Sequence, residues 1–189
     1  SGDTGWELAG GPVLFGAGAQ YRKNTFAATY GDNNNIAVNP CRDTPVTGST
    51  SCAQPNGALA FLGSNADSEA DNDVYALFGE MQLPVTDNFN VQLAARFEDY
   101  GGETGSTFDP KITARWQITD TFALRGSAGT TFRGPPAQQL SDRNVTSLQV
   151  IANSFRPVDV YGNPALAPET ATNYSIGLLI DTGAFTASV

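Results

Sequence analysis

Residues 89–118 read FNVQLAARFEDYGGETGSTFDPKITARWQI, and the fold turns on how they alternate. From Phe89 every second residue is apolar: Phe89, Val91, Leu93, Ala95 and Phe97. Between them stand Asn90, Gln92, Ala94 and Arg96, followed by Glu98. The pattern returns after the loop. Pro110, Ile112, Ala114, Trp116 and Ile118 share one face, and Asp109, Lys111, Thr113, Arg115 and Gln117 the other. Successive side chains of a strand point to opposite sides, so a period of two marks strands with one apolar and one polar face.

The period extends outward in both directions. Upstream, Tyr75, Leu77, Met81 and Leu83 face away from Ala76, Phe78, Glu80 and Gln82. Downstream, Phe122, Leu124, Ala128 and Phe132 oppose Arg125, Ser127, Thr131 and Arg133. Weaker versions run over 12–30 and 170–181, and a last strand begins near Ala184 and reaches Val189. No helical period persists. The reading is an all-β chain of about seven strands in an up-and-down meander. PVTDN (84–88), TDT (119–121) and DTGA (181–184) have the chemistry of tight turns. Longer connections cover 31–72, 101–106 and 134–169. Short and long connections alternate, so the turns fall on one rim and the loops on the other. Greek-key sandwiches do not usually obey this rule, whereas transmembrane antiparallel β-barrels do.

The aromatic residues support a membrane. On the apolar face Phe89, Trp116 and Phe122 lie beside the short turns. Tyr75, Phe97, Phe108, Phe132 and Tyr174 lie near the long-loop ends, with aliphatic or small residues between the two groups. Two aromatic bands flanking an aliphatic middle match the two interfaces of a bilayer. A soluble half-buried sheet has no such requirement. The polar face carries Glu80, Arg96, Glu98, Lys111, Arg115, Arg125 and Arg133, too many charges for a dry core. They suit a wet lumen or one filled by a polar plug.

Composition narrows the classes. The chain has 189 residues, a net charge of −9 and a pI near 4.2, so no nucleic-acid partner is expected. It has no histidine, which excludes Ser-His-Asp and Cys-His nucleophiles within it. No cofactor is expected. Cys41 and Cys52 lie close together in a polar, turn-rich stretch. They read as a disulfide closing a short surface loop in an oxidising compartment; the other reading is two free thiols.

Two short motifs then point to a family. TFRGPPAQQL (131–140) resembles a segment of TonB-dependent outer-membrane receptors through Phe132, Arg133 and Pro135. GNPALAPETATNYSIGL (162–178) is similar to the stretch that leads into their next barrel strand, through Gly162, Asn163, Pro164, Pro168 and Glu169. The ordered match runs from about Tyr75 onward. The resemblance implies a Gram-negative outer-membrane barrel of about 22 antiparallel strands, closed inside by a plug. It implies import of a scarce ligand: an iron–siderophore, haem, cobalamin or an oligosaccharide. The implied partners are outer-membrane lipid, the receptor's own plug, and the TonB complex through a box near the N-terminus. Plug, TonB box and closing C-terminal strand have no counterpart here, so residues 1–189 read as an interior segment of such a barrel.

Candidate sites follow. Arg133 either pairs with a carboxylate on the polar face or contacts plug or ligand. Pro135 and Pro136 end a strand, Pro168 ends the next long loop, and Glu169 caps or pairs near the rim. Asp67, Glu69, Asp71 and Asp73 alternate in NADSEADND (65–73), either as weak Ca²⁺ ligands or as a solvated acidic loop. A ligand site would draw on the loops 31–72 and 134–169, on the charged residues of the polar face, and on Phe61, Phe155 and Tyr161. Those rings stack on a sugar or catechol, or pack the loops. The leading function is active transport, with no enzyme activity. A soluble β-sandwich or surface adhesin is the alternative, and an outer-membrane lipase or protease is third.

Overall fold

The structure, a computed structural model, describes residues 1–59, 65–141, 144–183 and 186–188. The alternation becomes ten strands: β1 (Gly2–Leu8), β2 (Gly11–Ala28), β3 (Ser68–Thr86), β4 (Phe89–Asp99), β5 (Ser106–Gln117), β6 (Phe122–Arg133), β7 (Asn144–Ile151), β8 (Ser154–Tyr161), β9 (Glu169–Asp181) and β10 (Thr186–Ser188). Eight form one antiparallel sheet in the order β1-β2-β3-β4-β5-β6-β9-β10. The remaining hairpin, β7–β8, pairs only with itself inside the connection from β6 to β9. One-turn helices α1 (Thr44–Thr47) and α2 (Ala137–Leu140) sit in the two longest connections.

The meander is as expected, with one more strand in the sheet. β1 escaped the period because Asp3, Thr4 and Glu7 deny it a clean apolar face, and its register against β2 shifts between Asp3 and Glu7. β10 falls within the expected last strand, whose ends at Ala184 and Val189 lie outside the described residues. The 134–169 connection carries α2 and the β7–β8 hairpin. The 31–72 connection is shorter than expected, because β3 begins at Ser68 although β2 already ends at Ala28. At about 3.3 Å per residue these two strands are each about 60 Å long, while a tilted membrane strand needs only about 9–11 residues. Their loop ends therefore rise well clear of a bilayer. Above them Cys41 and Cys52 form a disulfide with Cα atoms 5.9 Å apart, and Cys41 is buried.

Register fixes the two faces. Leu93 sits between Met81 and Ile112, and Ile112 faces Ala128. Phe89 lies opposite Trp116, and Trp116 opposite Leu124. Phe97 lies between Leu77 and Phe108, with the Tyr21–Tyr75 ring pair nearby at 5.2 Å. These side chains form a continuous uncovered apolar face; Leu77, Phe108 and Trp116 are all exposed. A monomer in water rarely leaves such a patch bare, and lipid covers it in a barrel. Among the buried apolar residues, Val74, Ala76 and Tyr100 lie with Ala137 where a segment folds onto the polar face.

Phe132 departs from its expected place in the upper aromatic band. Pairing of β5 with β6 stops at Lys111 and Gly129, whereas β6 stays with β9 up to Arg133 and Glu169. The top of β6 leaves β5, and the Phe132 ring meets Tyr100 edge-on at 6.3 Å.

Candidate functional site

The polar face is assembled by strand register. Glu80 aligns through Ala94 with Lys111, Phe78 through Arg96 with Asp109, and Gln20 through Ala76 with Glu98. Arg115 and Arg125 are directly opposite each other on β5 and β6. Of the seven wall residues expected from alternation, Glu80, Arg96, Glu98, Lys111, Arg115 and Arg125 share one face through this register, and Arg133 continues the Arg125 side of β6 at its upper end.

Glu98 is its centre. The side chain is 2% exposed. Its carboxylate accepts hydrogen bonds from Arg22 Nη2 at 3.2 Å, Arg96 Nε at 2.7 Å and the Tyr100 hydroxyl at 2.6 Å, and a further one from Arg96 Nη2. A buried carboxylate needs this degree of pairing. Arg96 also donates to Gln20 Oε1 at 2.7 Å and lies over the Phe78 ring, 5.6 Å from its centroid. Glu80 accepts a bond from Gln92 at 3.2 Å.

Tyr100, just past the end of β4, joins this hub to the first motif. Burial and then the hydrogen bond it donates to Glu98 push its phenol up to about 12. A Cβ at Gly134 would stand 2.2 Å from the Tyr100 ring, so only glycine lets the chain pass. Pro135 and Ala137 are then buried, and α2 lies against β2 and β3. The prolines thus end the strand, as expected, but they turn the chain inward over the polar face.

The second motif locks onto the first. Asn163 donates its N–H to Gln139 O at 2.7 Å, and its own Oδ1 accepts from Ala165 N at 3.0 Å. A Cβ at Gly162 would lie 1.8 Å from the carbonyl oxygen of the buried Ser141. Leu166 N–H bonds to Asn163 O, closing a turn at Pro164. Pro168 stands directly before β9. Arg133 meets Glu169 at 4.0 Å across β6 and β9, with both side chains largely exposed, so that pair is weak.

Other expected residues do not converge on this centre. Phe155 lies at the tip of the β7–β8 hairpin, 73% exposed, beside a two-residue turn in which Ala152 and Asn153 have φ of 50° and 60°. Tyr161 is exposed at the hairpin's base, next to Gly162. Phe61 lies outside the described residues. The acidic run is strand more than loop. Asp67 accepts from Tyr30 N, Asp71 pairs with Lys23 at 2.5 Å, and Asp73 accepts from the Tyr21 hydroxyl at 2.7 Å. Among the described residues no three ligating side chains meet. The hub members that sequence reasoning missed are Arg22 and Tyr100. Arg22 stands two residues from Gln20 on a strand of weak alternation, and Tyr100 looks like the start of a loop.

Comparisons with known proteins agree with this geometry. The model of the TonB-dependent receptor-like β-barrel matches residues 1–189. An iron-regulated outer membrane virulence protein of Vibrio cholerae is 30% identical over 112 residues, 59% of this chain and 16% of that protein. A probable TonB-dependent siderophore receptor, PirA, of Acinetobacter baumannii is 27% identical over 114 residues, 59% of this chain and 15% of that one. The crystal structure of PirA superposes with a TM-score of 0.68 at 20% identity, over 97% of this chain and 24% of the other. A variant of the ferric enterobactin receptor PfeA of Pseudomonas aeruginosa, solved with enterobactin, gives 0.68 at 13% identity over 94% and 23%. The chain thus spans about a sixth of the length of the curated relatives it matches. Open sheet, uncovered apolar face and folded-in motif are those of a barrel wall: the chain belongs to the TonB-dependent receptor β-barrel family of the Gram-negative outer membrane.

Proposed function

We propose that this chain is part of the wall of an outer-membrane receptor that binds and imports an iron–siderophore complex. The observation that carries the reading is the family match over residues 1–189, on a sheet that is apolar on one side and charged on the other. Two relatives point to the substrate class: one is named as iron-regulated and one as a probable siderophore receptor. In this reading residues 1–189 are an interior stretch of a longer polypeptide. Its plug fills the lumen, and the TonB complex drives release through a segment near the N-terminus. The wall residues Lys111, Arg115, Arg125 and Arg133 give the lumen cationic surface for an anionic ferric complex. The rings of Phe155 and Tyr161 are available to stack on catechol groups.

The test is uptake of radiolabelled ferric siderophores by the source bacterium under iron starvation, with and without the full-length gene. Loss of uptake of one ferric siderophore on deletion, restored by the gene, is the expected result. Unchanged iron uptake with loss of haem, cobalamin or oligosaccharide uptake would replace the substrate class. A full-length product that folds in water without detergent would overturn the receptor reading.

A further inference from the structure

One carboxylate of the polar face takes no part in the Glu98 hub. Asp109, on β5, is 9% exposed, and its Oδ2 has no hydrogen-bond partner. Arg96 stands opposite it in the register, but that guanidinium is held by Glu98 and Gln20. Lys111 follows two residues along the same face, and among the described residues no cation comes within ion-pair distance of Asp109. A buried carboxylate is tolerated when it is paired or hydrogen-bonded, so this one lacks a donor.

The surroundings say what kind of donor. Asp109 lines a cavity of about 450 Å³ together with Phe78, Glu80, Arg96, Lys111, Thr130 and Phe132. The Thr130 hydroxyl is also buried without a partner. The cavity combines a largely apolar lining with two unmet acceptors. Neither Arg96 nor Lys111 pairs with the buried acid, and a cationic head on an alkyl stem would supply the missing donor. Guanidinium and ammonium groups carry several N–H donors, and their stems pack against aromatic rings.

We propose that this cavity is a binding site for an alkylguanidinium or alkylammonium group. Its N–H donors satisfy Asp109, with Thr130 as a second acceptor, and its stem lies against Phe78 and Phe132. The group comes from a free ligand in the lumen or from a lysine or arginine elsewhere in the same polypeptide. The proposal rests on the reading that this face lines a closed barrel.

The experiment uses the full-length receptor purified in detergent, as wild type, Asp109→Asn and Phe132→Ala, with agmatine as the probe. Calorimetry reads agmatine binding, and thermal unfolding reads the midpoint without it. For a free ligand, agmatine binds the wild type, Asp109→Asn weakens it at least about tenfold, and the unliganded midpoint does not fall. For an internal side chain, the wild type does not take agmatine, and both substitutions lower the midpoint by several degrees. The proposal fails if Asp109→Asn leaves both readouts unchanged. It also fails if Asp109→Asn raises the midpoint while the wild type takes no agmatine, since the carboxylate would then lack a partner in the whole receptor. A heat-modifiable band on a gel, kept by every variant, reports the barrel reading separately.

Discussion

The polar face holds two groups of charge that behave in opposite ways. Near the loop ends, Glu98 draws Arg22, Arg96 and Tyr100 into a closed hub whose partners all come from this chain. Lower down, Arg115 and Arg125 stand directly opposite each other, and among the described residues neither forms an ion pair. The first group is buried and self-sufficient, and it anchors the segment that crosses the face. The second is exposed and open. On one wall, buried charge is architecture, while exposed charge of one sign is available to whatever occupies the lumen.

Four substitutions test that contrast, all measured by urea unfolding of the full-length receptor in micelles. The largest effect belongs to Glu98→Leu, which strands two guanidinium groups. It should cost about 3–4 kcal/mol, the lower part of the range for a broken buried pair, because both arginines keep some contact with water. Gly162→Ala drives a Cβ into the Ser141 carbonyl and should cost about 2 kcal/mol by overpacking. A cost near zero would mean that the two motifs do not dock. Arg115→Glu turns a like pair into an opposite one and should stabilise by about 0.5 kcal/mol. A loss instead would mean that a lumenal anion already bridges the two arginines. Arg133→Ala should change stability by less than about 0.5 kcal/mol, because its partner is distant and both are exposed. A larger loss would move Arg133 from the exposed group to the anchoring one.

The strands were legible because a sheet between lipid and water must alternate, and β4 to β6 do so without a break. β1 was not, since Asp3, Thr4 and Glu7 hide its pairing. The wall charges were legible for the same reason, and register then placed them together. Tyr100 was not, because its role depends on Gly134 passing over it 34 positions later, a contact with no local period. Phe132 obeys the period of β6 yet points elsewhere, because the strand parts from β5 above Gly129. The acids 69, 71 and 73 looked like a loop because the length of β3 is set by pairing with β2.

The reach of the Glu98 hub has a consequence for assembly. Arg22 and Glu98 lie on β2 and β4, 76 residues apart in the chain, with β3 between them. A slip of one residue would turn apolar side chains inward and is forbidden by the lipid. A slip of two keeps every face correct, so alternation cannot detect it. It would, however, carry Arg22 about 6.6 Å from its carboxylate. The hub therefore acts as a proofreader of register, closing only when three strands have found their true alignment.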